Sequence, residues 1–110
     1  MSLFMVQYAY SVGGEERQYV RPKHAGYLAS LEESGALVLS GPYADGMGAV
    51  FLYRAVDREA CESLVRADPF WQGGFVDEWS VREFLVGFGL PDETDRVVVP
   101  EGFVFEYPET

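Results

Sequence analysis

The chain has 110 residues, 48% of them apolar and 15% aromatic, and its 18 Asp and Glu against 8 Lys and Arg give a formal charge of −10. That length makes one domain with a modest core, and the apolar share excludes a disordered acidic chain. The charge excludes the clustered cations that nucleic acid requires and works against anionic membranes, so neither partner is expected.

Cys61 is the only cysteine, so no internal disulfide can form and a reducing compartment is expected. The N-terminus shows no secretory pattern and no apolar run reaches membrane-spanning length, which makes the cytoplasm the expected location.

In chain order, Leu3 to Tyr10 alternates Phe4, Val6, Tyr8 and Tyr10 against Leu3, Met5, Gln7 and Ala9, a strand with two largely apolar faces. Ser11 to Glu16 is a polar turn. A helix runs from about Arg17 or Pro22 to Ser34, with Pro22 suited to its first turn and Gly35 to its C-terminal cap. His24, Leu28 and Leu31 stand at i, i+4 and i+7, which aims the histidine inward along the leucine stripe.

Ala36 to Ser40 forms a second strand, stopped by Gly41 and Pro42, and a glycine-punctuated loop leads to a wholly apolar third strand, Ala49 to Tyr53. Asp57 caps a second helix whose stripe is Ala60, Cys61, Leu64 and Val65, and Pro69 ends it at Asp68. Phe70 to Gly74 is an aromatic and glycine turn, and Phe75 to Val86 is the fourth strand. Residues 1–86 thus read as the domain and 87–110 as a C-terminal tail. Its runs Val97 to Val99 and Phe103 to Phe105 are expected to add short strands or to pack on the pocket or a neighbour.

The order strand, helix, strand, strand, helix, strand is the ferredoxin-like α+β arrangement, with two helices on one face of a four-stranded antiparallel sheet. The first and third strands are apolar on the bare face too, so a homodimer through that face is expected, unless the tail covers it.

The chemistry centres on His24, the only histidine. In the first turn of a helix the macrodipole disfavours an imidazolium, which leaves a neutral ring able to accept a proton. Its partner on sequence grounds is Asp68, whose carboxylate is freed from the helix surface by Pro69 and would fix the ring's tautomer. The bland alternatives are a hydrogen-bonded core histidine and a solvated turn carboxylate. Arg21 either holds an anionic substrate group or pairs with Glu15 or Glu16. Ser40, Gly41 and Pro42 either face a ligand or simply end a strand, and Tyr8, Tyr43, Phe70 and Trp71 either wall a pocket or pack the core. One histidine and one distant cysteine give no zinc spacing, and neither a phosphate loop nor a dinucleotide fingerprint is present, so no metal or cofactor is called for. Cys61, on an apolar stripe, reads as an inert thiol.

Arg21-Pro22-Lys23-His24 with Tyr27-Leu28, then Leu37-Val38-Leu39-Ser40-Gly41-Pro42, Gly48, and Asp68-Pro69-Phe70 with Gly74, resemble the YCII-related family over roughly residues 3–86. The resemblance implies a ferredoxin-like fold that dimerises through its sheet, in the dimeric α+β barrel group beside muconolactone isomerases. It further implies an active-site pair that maps onto His24 and Asp68, and it links the family to chloride elimination in chlorinated hydroxyquinol breakdown. The expectation is a cofactor-free lyase or isomerase acting on a cyclic or aromatic small molecule, with Arg21 steadying an anionic group. The rivals are a non-catalytic metabolite-binding protein and a cofactor-free oxygenase.

Overall fold

The computed structural model describes residues 1–89 and 100–104. Its elements are β1 (Ser2–Tyr10), α1 (Gly14–Arg17), α2 (Arg21–Ser34), β2 (Leu37–Pro42), β3 (Gly48–Ala55), α3 (Arg58–Arg66), α4 (Pro69–Gln72) and β4 (Val76–Phe84). The four strands make one antiparallel sheet in the order β2-β3-β1-β4. Phe4, Val6 and Tyr8 of β1 share a face with Phe51 and Tyr53 of β3 and with Val81 of β4, and this face meets Cys61 and Val65 of α3. The ferredoxin-like topology expected from the element order is therefore present.

The barrel implied by the resemblance is not. β2 and β4 are edges, each paired on one side only, and the sheet stays open. Neighbouring strands twist by roughly 20–25°, which does not bring the edges of a four-stranded sheet together. The fold is an open α+β sandwich and not a dimeric α+β barrel.

Local chemistry explains the element boundaries. Asp57 Oδ1 accepts the Ala60 N–H at 2.8 Å and starts α3. Pro22 lies in the first turn of α2, and Gly35, at φ +88°, closes that helix in the left-handed region. Gly48 begins β3 opposite Ala9, and a Cβ there would run into the carbonyl oxygen of Tyr8, so the close approach of β1 and β3 needs glycine.

Three readings need amendment. The polar turn after β1 contains the one-turn helix α1, and Arg17 at its end is buried. The aromatic turn after Asp68 begins as the short helix α4. No residue of α2 is fully buried, because this helix packs over the edge strand β2; its stripe of His24, Leu28 and Leu31 is half-buried.

On the opposite sheet face Leu3 and Leu52 are buried and Met5 and Val50 half-buried, while Gln7, Ala9 and Ser80 are exposed. Cover on that face is thus partial. Val97 to Val99 and Phe105 lie outside the described residues, and Phe103 and Val104 are exposed. No helix among the described residues is long and apolar enough to cross a membrane.

Candidate active site

The site is built around Asp68. Its backbone is extended, as a residue before proline prefers, and it serves as N-cap of α4. Oδ1 accepts the Phe70 N–H at 2.9 Å, which turns the carboxylate away from solvent and into the layer between helices and sheet. There it is 0% exposed. Burying a carboxylate is costly unless donors surround it, and three do. Besides Phe70, His24 Nδ1 lies 2.6 Å from Oδ1, and the Tyr8 hydroxyl donates to Oδ2 at 2.8 Å.

Each donor comes from a different element. α2 brings His24, β1 brings Tyr8, and α4 supplies its own N-terminus. Burial, followed by the charge of Asp68, pushes the Tyr8 phenol far above its ordinary value. Tyr8 therefore stays protonated and acts only as a donor here.

With Nδ1 held by Asp68, the second nitrogen of His24, Nε2, has no hydrogen bond among the described residues. The imidazole stacks on the Phe70 ring at 3.8 Å between centroids and 3° between planes, and meets Phe51 edge-on at 6.2 Å. Carboxylate and ring stack together leave the imidazole one orientation. His24 lines a cavity of about 400 Å³, together with Tyr10, Arg17, Arg21, Leu28, Ser40, Gly41, Pro42, Ala49, Phe51 and Phe70.

Of the residues singled out in the sequence, His24, Arg21, Ser40, Gly41, Pro42 and Phe70 line this cavity. Asp68 lies directly behind His24. Tyr8 is not part of the lining; it stands behind Asp68 as its donor. Arg21 donates to the Gly14 carbonyl at 3.0 Å, and no described ion pair joins it to Glu15 or Glu16. Cys61 is fully buried among apolar neighbours, and burial pushes its thiol up to about 11, in keeping with an inert role.

Arg17 and Tyr10 were not expected in the wall. Arg17 sends Nη1 to the Val12 carbonyl at 3.0 Å and Nη2 to the Gly46 carbonyl at 3.2 Å, and its guanidinium lies 3.8 Å from the centre of the Tyr10 ring. It ties the segment before α2 to the β2–β3 loop at the cavity mouth. The signals for these residues were the alternation that sets Tyr10 on the face of Tyr8 and the crowding of Arg17, Arg21 and Lys23 in an acidic chain. Among the described residues no three His, Cys, Asp or Glu side chains group as metal ligands.

The family model of the YCII-related domain matches residues 1–85. The chain belongs to the YCII-related family. Among solved structures it is similar to 5-chloro-2-hydroxyhydroquinone dehydrochlorinase (TftG) from Burkholderia phenoliruptrix AC1100 in complex with 2,5-dihydroxybenzoquinone, at 22% identity and a TM-score of 0.69 over 77% of this chain and 95% of that one. It is also similar to an uncharacterized NIPSNAP domain protein from Burkholderia xenovorans, at 17% identity and a TM-score of 0.50 over 84% of this chain and all of that one. At these identities the likeness establishes the shared fold. Comparison with curated proteins returns no match.

Proposed function

We propose that this YCII-related protein is a small-molecule enzyme of the lyase or isomerase type, in which His24 takes or shuttles a proton on a cyclic or aromatic substrate. The observation that carries the reading is the buried His24–Asp68 contact of 2.6 Å at the wall of a cavity with aromatic sides. Asp68 keeps the proton of the ring on Nδ1, so Nε2 meets the ligand as a base. Tyr10, Phe51 and Phe70 give the lining its aromatic character, Ser40, Gly41 and Pro42 line it as well, and Arg21 steadies an anionic group. The similar protein whose structure holds 2,5-dihydroxybenzoquinone bears the name of a dehydrochlorinase, which supports a ring substrate and an elimination.

Turnover of chlorinated hydroxyhydroquinones by the native chain and by His24→Ala tests this. Loss of a general base should lower kcat/KM by roughly 10²–10⁴-fold, with the fold retained because Pro22 and the Leu28 and Leu31 stripe still specify α2, but with a stability loss of about 1–2 kcal/mol because Asp68 loses one of its donors. A variant that loses ligand affinity but keeps its rate per bound ligand would turn the reading to a binding protein, and a variant that unfolds would make the histidine structural. We further propose that two copies meet through the partly covered sheet face, where Leu39 is 50% and Phe84 39% exposed. Sedimentation should then give twice the 12.3 kDa chain mass, and a monomer at all concentrations would refute it.

A further inference from the structure

Among the described residues Tyr10 is the one phenol lining the cavity, and none of them uses its hydroxyl. Tyr8 donates to Asp68 and Tyr27 to the Leu64 carbonyl at 2.6 Å, but the Tyr10 hydroxyl has no hydrogen bond among the described residues. Its ring is nonetheless held firmly. Arg17 lies 3.8 Å from its centre, Phe70 meets it edge-on at 5.8 Å, and Tyr8 does so at 6.3 Å. Arg17 is itself anchored by two backbone carbonyls, and the Tyr10 N–H donates to the Met47 carbonyl at 2.9 Å.

The strand is also irregular at this point. Ala9 pairs with Glu78 but Tyr10 with Val76, so Asp77 has no partner on β1. Irregularities of this kind re-aim a side chain at the end of a ladder. A phenol held on several sides at a cavity wall, with a hydroxyl that no described residue takes, is free to donate to a molecule in the cavity.

We propose that the Tyr10 hydroxyl donates to a negatively charged oxygen of the ligand, so that the cavity takes planar ring compounds bearing a phenolate or enolate oxygen. This rests on the reading of His24 as base. When a C–H bond next to a ring carbonyl breaks, the proton goes to His24 Nε2 and the electron pair moves through the ring onto the carbonyl oxygen. A donor already aimed at that oxygen stabilises the charge as it forms.

The surroundings suit this task. Arg17 and Arg21 line the same cavity and make it a positive hollow in a protein of net charge −10. Burial holds the Tyr10 phenol above its ordinary value, with Arg17 and Arg21 acting against that rise and Asp68 adding to it. It therefore remains an O–H donor at neutral pH.

The test is binding of two probes of one shape, 4-nitrophenolate and nitrobenzene, to the native chain and to Tyr10→Phe, at a pH where the phenol probe is ionised. Hydrogen bonds to charged groups predict a loss of roughly tenfold or more for 4-nitrophenolate in the variant, with nitrobenzene affinity unchanged. Unchanged 4-nitrophenolate affinity, an equal loss for both probes, or no binding of 4-nitrophenolate to the native chain would each overturn the proposal. Failure of the His24 reading shows elsewhere, as full turnover in His24→Ala whatever the probes do.

Discussion

The two ends of the helix-covered core treat buried polarity in opposite ways. Toward the cavity, Asp68 is fully buried and each of its oxygens is matched by donors from His24, Tyr8 and the Phe70 backbone. Toward Cys61 and Val65, Tyr53 is just as deeply buried, yet its hydroxyl has no partner among the described residues. Burial raises the Tyr53 phenol, as it does that of Tyr8, so neither ring ionises. What separates them is a designed acceptor at one end and none at the other. A protein of marginal stability tolerates one orphan hydroxyl in a packed ring, but a buried carboxylate must be fully met or it does not stay buried. The contrast marks the Asp68 corner as the part of the core arranged for polar chemistry.

Breaking that corner should have the largest effect. Asp68→Ala leaves the His24 and Tyr8 donors and the first N–H groups of α4 without an acceptor, and the loss of stability should reach about 3 kcal/mol or more, measured by urea unfolding. A loss below about 0.5 kcal/mol would show that water meets these donors and that the site is not closed.

A smaller effect sharpens the contrast between the two phenols. Tyr8→Phe removes one donor from Asp68 and should cost about 1–2 kcal/mol. Tyr53→Phe removes a hydroxyl that no described residue bonds and should be neutral or slightly stabilising. Equal losses for the two variants would mean that the hydroxyl of Tyr8 is held no better than that of Tyr53.

Much of the scaffold was legible in the chain. Alternation placed Phe4, Val6 and Tyr8 on one face, Pro22 and Gly35 bracketed α2, and Asp57 capped α3, because each of these signals acts within a few residues. The contact between His24 and Asp68 spans 44 positions and depends on how α2 and α4 sit over the sheet, which no local signal encodes. Tyr8 illustrates the same limit: its face follows from alternation, but its acceptor arrives only with the fold. In the sequence Arg17 is a candidate start of the first helix, and its place in the wall depends on the Val12 and Gly46 carbonyls that the fold brings to it. The barrel failed for a different reason, since closure is a property of strand number and twist and no residue pattern in the four strands speaks to it.

The central claim is that Asp68 holds His24 with its proton on Nδ1 and leaves Nε2 free for the ligand. Long-range ¹⁵N–¹H correlation on the single imidazole reads the tautomer directly, under conditions where the ring is neutral. The account predicts the Nδ1–H form in the native chain and a shift toward the Nε2–H form in Asp68→Asn. An Nε2–H imidazole in the native chain, or the same spectrum from both proteins, would contradict it.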